Sequence, residues 1–269
     1  MSRSVAITEG SASGAADAVA GWQRRVVDRS LDDAKRRSID RGARLIRAAA
    51  KVLDRTNGES LTVQDVADEA GQSLRTLYQY FSSKDDLLLA VYEEAMRTYA
   101  RLITAAVNSL EDPLERLAGG IMASARMPAM HGSGVDRGLS HLRLQLSQAR
   151  PALVASAQEP VTTFFRGLIA EAVAAGQLTG VDIDQATYFV CSLRNSYNTS
   201  ITLGNDLGLE LPNVVELSLF SLGGLGAVLP REWHQKIDDD LHLANGDGRS
   251  ILRQLTKEPS SRAPRAKAR

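Results

Sequence analysis

The sequence has one cysteine, few aromatic residues and no long apolar run. The single cysteine, Cys191, excludes an intramolecular disulfide framework and any zinc or iron–sulfur site built from cysteines. The four histidines are scattered and form no HExxH pattern, so no metal or other cofactor is expected. No stretch reaches the roughly 18 apolar residues of a membrane-spanning helix, and the N-terminus lacks an apolar secretory segment. We therefore expect a soluble, cytoplasmic protein.

The chain also lacks a net charge, because 32 basic residues balance 32 acidic ones over 269 residues. The distribution is uneven, however. Between Lys35 and Arg55 there are eight basic residues against two acidic ones, a local charge of plus six. Such a run is either a solvated helix face or an electrostatic footprint for phosphate groups. The run by itself leaves both readings open.

Hydrophobic spacing predicts an all-α fold. Residues 38–56 carry apolar positions at helical spacing, from Ile39 to Leu53, and the Asn57-Gly58 pair is expected to end this helix. After a long helix from Lys84 to about Asn108, we predict further helices at 112–127, 138–149, 151–176, 182–205 and 212–229. No alternation typical of a strand appears.

The most informative segment runs from Thr62 to Lys84. Thr62 and Ser73 are suitable N-caps for two short helices, and Asp65 is placed to complete a capping box with Thr62. Ala67 is small where two helices would cross closely, and Gly71 suits the positive φ of a tight turn. Leu77 would fill the angle between the helices. This pattern matches a helix-turn-helix, whose second helix enters the DNA major groove, although an ordinary helical hairpin has similar spacing.

The outward face of the second short helix suits DNA better than catalysis. Arg75 can donate two hydrogen bonds to guanine, and Gln79 can pair with adenine. The hydroxyls of Thr76 and Tyr78 suit phosphate oxygens, as does Lys84 at a helix N-terminus. No nucleophile and base are paired here, so we predict that the chain is not an enzyme.

At this point the sequence resembles a known family. The stretch LTVQDVADEAGQSLRTLYQYFSSKDDLLLAV, Leu61–Val91, resembles the DNA-binding signature of the tetracycline-repressor (TetR) family, most specifically in TLYQYFSSK from Thr76 to Lys84. The resemblance implies a homodimeric transcriptional repressor that a small molecule in the C-terminal domain releases from DNA. Gln72, where the family usually has valine, and Leu74, where polar residues are common, depart from the pattern.

The resemblance also implies roles for individual residues. Arg75 and Thr76 would contact bases, with Gln79 and Gln64 as further candidates. The candidate phosphate contacts are Thr62, Ser73, Tyr78, Tyr80, Lys84 and Arg44. The implied domains are a mobile basic N-terminal extension (1–34), a three-helix helix-turn-helix domain (35–83), a larger helical effector-binding and dimerisation domain (84–230) and a polar to basic C-terminal tail (231–269).

Two further sites are expected in the larger domain. Candidate residues for the effector pocket are Met96, Tyr99, Met122, His141, Gln145, Phe164, Phe165, Asn195 and Tyr197. The segment after Pro212 is apolar on several sides and rich in glycine, which fits either a dimer interface or a central core helix. Candidate interface residues are Val214, Leu217, Phe220 and Gly224. The rival functions are an all-α enzyme and a DNA-binding protein without sequence preference or ligand.

Overall fold

The computed structural model describes residues 21–56, 60–130 and 135–244. Three predictions therefore lie wholly or partly outside the described residues. They are the start of the N-terminal extension (1–20), the helix stop at Asn57-Gly58 and the end of the C-terminal tail (245–269). The chain divides into two compact units, Met1–Ala43 and Arg44–Arg269.

The described part of the first unit is the beginning of one long helix, α1 (Gly21–Arg55). The helix begins well before the predicted start at Ser38, because no proline and no glycine interrupts the chain between Trp22 and Ser38. Every side chain from Asp28 to Arg41 is exposed. Ile39 is 60% exposed, so its predicted place on a buried stripe is wrong.

The second unit contains the remaining described elements. They are α2 (Val63–Glu69), α3 (Leu74–Tyr80), α4 (Lys84–Val107), α5 (Pro113–Met130), α6 (Val135–Ala149), α7 (Pro151–Ala174), α8 (Ile183–Leu203), α9 (Val214–Gly224) and α10 (Arg231–Ala244). The described residues form no strand, and the prediction of an all-α fold is confirmed.

Helix α5 is the centre of the larger helical domain. It packs against α4, α7, α8, α9 and α10, and Leu117 and Ile121 are buried on it. Helix α4 packs along α7 and also contacts α6. Because only residues 81–83 separate the end of α3 from the start of α4, helix α4 connects the helix-turn-helix segment directly to this domain. Within the described ranges, we find no helix that combines the length and the apolar character of a membrane span.

The region after Pro230 differs from the prediction of a polar tail. Helix α10 packs against α5 and α9, with His234 and Ile237 buried. Asp238 is also buried and pairs with Arg126 of α5. A buried carboxylate can be accommodated when an arginine neutralises it, and this pair explains how so polar a sequence packs on the domain. The prediction is therefore wrong for residues 231–244.

Candidate nucleic-acid interface and effector cavity

The turn between α2 and α3 has the geometry expected of a helix-turn-helix. The side chain of Thr62 accepts a hydrogen bond from the backbone of Asp65, and the Asp65 carboxylate accepts one from the backbone of Thr62, which confirms the capping box. The Thr62 hydroxyl also donates to Asp65 Oδ2 at 2.6 Å, and this bond, followed by the one from the Thr62 backbone N–H, holds the pKa of Asp65 below its usual value. Gly71 has a φ of 60°, and the Gln72 N–H donates to Ala67 O at 2.9 Å. Gln72 therefore does not prevent the turn from closing.

The buried side of this motif fixes the direction of α3. Val66, Ala67 and Leu77 are fully buried. Since side chains three and four positions apart share a helix face, burial of Leu77 turns Arg75, Tyr78 and Gln79 outward, and all three are exposed. Arg75 forms no ion pair with any residue that the structure describes. Its five donors are therefore available to a ligand outside the chain.

Several predicted DNA contacts already have partners within the motif. The Ser73 side chain accepts from the Thr76 backbone N–H as the N-cap of α3, and the two hydroxyls lie 3.0 Å apart. Gln64 Nε2 donates to Asp68 Oδ1 at 2.8 Å along α2. Tyr80 is half-buried. These side chains support the shape of the motif, whereas Arg75 and Gln79 project freely from it.

The N-terminus of α4 carries acidic side chains as well as Lys84. Lys84 is exposed at its first position, but Asp85 and Asp86 follow in the same turn. The Asp86 carboxylate is engaged, because the Ser82 backbone N–H donates to Asp86 Oδ2 at 2.8 Å. Lys84 is thus the group at this end that remains suitable for a phosphate.

The basic face of α1 is partly neutralised. Lys51 Nζ lies 3.3 Å from Glu69 Oε1, and Arg55 Nη1 lies 3.2 Å from Glu69 Oε2, so both cations bind α2 rather than an outside partner. Arg44 is exposed and has no ion pair among the described residues. Of the predicted phosphate footprint in the second unit, Arg44 is the clearest remaining candidate. Sequence reasoning missed the role of Glu69, which only the crossing of α1 and α2 reveals.

A cavity of about 60 Å³ lies in the larger domain, bordered by side chains from α4, α6 and α8. Its apolar side is formed by Tyr92, Met96, Tyr99 and Leu139. Its polar side is formed by Ser140, Arg143, Arg194, Asn195, Asn198, Thr199 and Thr202. The cavity thus brings together three of the predicted pocket residues, Met96, Tyr99 and Asn195.

The other predicted pocket residues do not line this cavity. His141 and Gln145 are exposed on α6, whereas Met122 and Phe165 are fully buried in the core. Phe164 packs edge-on against Phe165. The Tyr197 hydroxyl is committed to Pro212 O at 2.8 Å. For the buried residues, helical spacing predicts that a side chain points inward, but not which neighbouring helix it meets; His141 and Gln145 lie instead on the solvent-facing side of α6.

The most unusual residue of the cavity was not predicted. Arg194 is only 4% exposed, and its guanidinium lies 5.5 Å from the ring centre of Tyr99. A sequence signal did exist, because Thr187, Val190 and Tyr197 share the inward face of α8 with Arg194 at spacings of three and four. A basic residue on such a stripe indicates a buried charge, which is rare without a partner.

An exposed aromatic surface lies on α8 and α9. Tyr188, Phe189 and Phe220 are each more than 60% exposed, and a depression of about 270 Å³ is lined by Phe189, Phe220 and Gly224 among others. Phe220 and Gly224 therefore remain interface candidates. Leu217 is 3% exposed within a single chain, so its assignment to a dimer interface is corrected. Val214 is half-buried.

Within the described ranges, histidine, cysteine and acidic side chains form no group of three or more that could bind a metal ion. Cys191 is partly buried beside α7, and burial raises the pKa of its thiol. A thiol in this state is a poor nucleophile. The candidate sites are thus a DNA-facing helix, a polar cavity and an apolar surface.

Comparison with known proteins shows that the helix-turn-helix segment is similar to bacterial regulators of transcription. Residues 45–91 match the family described as bacterial regulatory proteins, tetR family. The chain is 32% identical over 84 residues to the HTH-type transcriptional regulator HbdR of Aromatoleum sp. (strain CIB), a match covering 31% of this chain and 37% of that protein. It is 35% identical over 75 residues to the HTH-type nicotine-responsive transcriptional repressor HdnoR of Paenarthrobacter nicotinovorans, covering 28% of this chain and 39% of that protein. The matches thus span less than two fifths of these curated relatives. The family and the relatives are regulators of transcription, not enzymes, in agreement with the sequence-based prediction.

Solved structures share the fold over most of the chain. A crystal structure of RolR in complex with resorcinol has a TM-score of 0.53 and 18% identity, and covers 78% of this chain and 96% of that chain. The fatty acid degradation regulator FadR from Bacillus halodurans has a TM-score of 0.55 and 19% identity, and covers 70% of this chain and 97% of that chain. At this identity the likeness establishes the fold alone.

Proposed function

We propose that this chain, in which residues 45–91 match the tetR family of bacterial regulatory proteins, is a homodimeric repressor that a small-molecule effector releases from a palindromic operator. The observation that carries the proposal is the pair formed by buried Leu77 and exposed, unpaired Arg75 on α3. The buried leucine holds the helix at a defined angle, and the free guanidinium is left to read a base edge. Because its target is chromosomal DNA, such a regulator acts in the cytoplasm.

In this function α3 enters the major groove. Arg75 reads guanine through two hydrogen bonds, and Gln79 is placed one turn further along to read a neighbouring base. Thr76 and Gln64 stay as secondary base contacts. Lys84, Tyr78 and Arg44 lie exposed on the same motif and would fix its register through phosphate contacts, with Thr62, Ser73 and Tyr80 nearby.

A dimer supplies the second recognition helix. The exposed rings of Tyr188, Phe189 and Phe220 form an apolar surface on α8 and α9. An apolar surface of this kind on a folded chain is typical of an interface. A two-fold axis through it would pair the same residues on both copies. Two copies of α3 spaced about 34–36 Å apart would then read a palindromic or nearly palindromic site.

The effector acts through α4 by a shift in population. Tyr92, Met96 and Tyr99 of α4 border the cavity, and Tyr92 lies eight residues from Lys84, about 12 Å along the helix axis. A ligand that favours one position of α4 would favour one spacing of the recognition helices. A small-molecule ligand is in keeping with RolR, which shares the fold and has been crystallised with resorcinol.

Selection of bound sequences from a random DNA pool tests the core of the proposal. We expect the full chain to enrich one sequence with two inverted half-sites whose centres lie one helical turn apart. Enrichment of a single half-site would contradict the dimer on DNA. Binding that does not depend on sequence would contradict the repressor and favour an architectural DNA-binding protein.

Sedimentation of the free protein tests the dimer surface. Phe220→Asp places a charge in the apolar surface and is expected to shift the chain to a monomer. Leu153→Asp is the matched control, because Leu153 is also exposed but lies on α7, away from that surface. An unchanged mass for the Phe220 variant would show that the interface lies elsewhere.

A further inference from the structure

Two arginines, and no acidic side chain among those that the structure describes, border the α4/α6/α8 cavity. Arg194 lies on α8 and Arg143 on α6, and both border the same space. Among the side chains that the structure describes, no aspartate or glutamate lines that space, and neither arginine forms an ion pair. Two positive charges therefore face one small cavity, and none of the described side chains supplies a counter-ion.

Arg194 is the stronger indication, because it is almost completely buried. Its guanidinium lies 5.5 Å from the ring centre of Tyr99 and 6.0 Å from that of Phe165. Within the chain it donates a hydrogen bond to Asn195 Oδ1 through Nη2, while its Nε is buried and has no hydrogen-bond partner among the described residues. A buried charge with an unused donor is strongly unfavourable unless a ligand completes its environment.

The surrounding polar groups are held in fixed positions. Arg143 Nη2 donates to Thr199 Oγ1 at 2.6 Å, and Asn195 Nδ2 donates to Gln158 Oε1 at 3.1 Å. Asn198 directs its Nδ2 to Ser124 O at 3.3 Å. The cavity is therefore polar along α8, and the side chains that line it there are already oriented by the protein.

The opposite wall is apolar and uncharged. It consists of Tyr92, Met96 and Tyr99 of α4 together with Leu139 of α6. Burial raises the pKa of Tyr92 to about 12, so this side chain is a neutral phenol at physiological pH. A ligand that fits both walls has an anionic end and an apolar body.

From these contacts we propose that the cavity binds a small organic carboxylate, with the carboxylate between Arg143 and Arg194 and the apolar body against α4. The planar guanidinium matches a carboxylate through two parallel hydrogen bonds. The cavity is small, with a volume of about 60 Å³, which favours a short-chain or single-ring acid over a larger effector. This inference rests on the proposed function, because it names the chemical class of the effector.

Thermal unfolding of the full chain with chemically matched probes tests the inference. The probes are sodium benzoate, sodium phenylacetate and sodium butanoate, with benzyl alcohol and benzylamine as the neutral and cationic counterparts of benzoate. We expect at least one carboxylate to raise the Tm in a concentration-dependent way, because a ligand that binds only the folded state stabilises it. Benzyl alcohol, benzylamine and sodium phosphate are expected to have no such effect.

Variants then locate the binding site. Arg194→Met keeps the length of the side chain without the charge and is expected to weaken carboxylate binding, measured by calorimetry, by about tenfold or more. The same variant is expected to unfold at an equal or higher Tm without ligand, because it removes an uncompensated buried charge. Arg194→Lys retains the charge and should recover part of the affinity. Arg166→Met is the matched control, because Arg166 lies exposed on α7 and pairs with Asp184.

Three results would overturn the inference: no carboxylate raises the Tm, benzyl alcohol raises it as much as benzoate, or Arg194→Met binds as tightly as the unaltered chain. If Arg194→Met does not fold, Arg143→Met carries the same comparison. Parallel selection of DNA sequences separates the two proposals. Specific DNA binding without carboxylate binding would refute the carboxylate alone, whereas carboxylate binding without specific DNA binding would refute the repressor and leave the cavity assignment standing.

Discussion

Asp86 and Ser82 join the end of the helix-turn-helix to the start of α4. The Asp86 carboxylate accepts from the Ser82 backbone N–H at 2.8 Å and from the Ser82 hydroxyl at 3.1 Å. The recognition helix α3 ends at Tyr80, two residues before this contact. Helix α4 continues from the contact to the side chains that border the cavity. The Asp86–Ser82 contact is therefore placed to transmit any displacement of α4 to α3.

Replacing Asp86 with alanine should loosen this connection. We expect Asp86→Ala to reduce the free energy of unfolding by about 1 kcal/mol, because a helix-terminal hydrogen bond is lost, and to reduce severalfold the effect of ligand on DNA affinity. Fluorescence anisotropy of labelled operator, with and without ligand, measures the second effect. Asp85→Ala is the control, since no residue in the described ranges is hydrogen-bonded to the Asp85 carboxylate. An equal effect of both substitutions would show that the contact has no special role.

Arg75 and Lys84 should contribute to DNA binding in different ways. Arg75→Ala is expected to reduce discrimination at one base pair by roughly 1–3 kcal/mol, because a bidentate contact to guanine is lost. Lys84→Ala is expected to weaken all sequences equally and to reduce the salt slope of the binding constant by about one, because a phosphate contact is lost. Titration of the selected site and its point variants over a range of salt concentrations distinguishes the two. Operator affinity unchanged by Arg75→Ala would refute the base contact.

The helix-turn-helix was predictable because its determinants are local in the sequence. Thr62 and Asp65 form their capping box within one turn of helix, and Gly71 adopts its positive φ where the sequence placed the turn. Leu77 is buried as its spacing from Ala67 requires. Each of these features depends on neighbours within about ten residues, so the sequence contains the information needed to predict it.

The cavity and the exposed aromatic surface on α8 and α9 depend instead on which helix faces meet. Helical spacing placed Leu217 and Phe220 in the same candidate interface, but Leu217 is 3% exposed and Phe220 is 72% exposed. The inward stripe of α8 indicates that Arg194 is buried, but the helices that surround it follow from the packing of α8 against α7 and α6. Helix α10 was missed because its buried carboxylate, Asp238, is stabilised by Arg126, which is far away in the sequence.

The stability of the chain should fall in mild acid because of His234. Its ring is fully buried in α10, and burial, together with the charge of Arg231, lowers its pKa below the usual value near 6.5. At pH values between the pKa of His234 in the folded state and its pKa in the unfolded state, the unfolded state binds more protons than the folded state does. The contribution of His234 to the free energy of unfolding is therefore fully present above about pH 6.5. As the pH falls below that value, the free energy of unfolding decreases by up to about 1.4 kcal/mol per pH unit.

Urea unfolding at several pH values between 7.5 and 5 measures this dependence. We expect His234→Leu to have a shallower slope than the unaltered chain over that range. His141→Leu is the control, because the His141 ring is exposed on α6 and is hydrated whether or not the chain is folded. Equal slopes for the His234 variant and the unaltered chain would assign the acid sensitivity to other groups.

Substitution by alanine is expected to have opposite effects on stability at Gly120 and at Gly167. A methyl group on Gly120 of α5 would lie 3.0 Å from Leu168 Cδ1 and 3.1 Å from Phe164 Cε1, whereas one on Gly167 of α7 would meet no atom within 4 Å. Phe164 has little freedom to move, because it packs edge-on against Phe165 at 5.1 Å. Gly167→Ala should therefore stabilise the chain by about 0.5–1 kcal/mol through helix propensity. Gly120→Ala should destabilise it by about 1 kcal/mol through overpacking. Urea unfolding measures both, and a Gly120 variant that gains as much stability as the Gly167 variant would show that α5 and α7 separate at little cost.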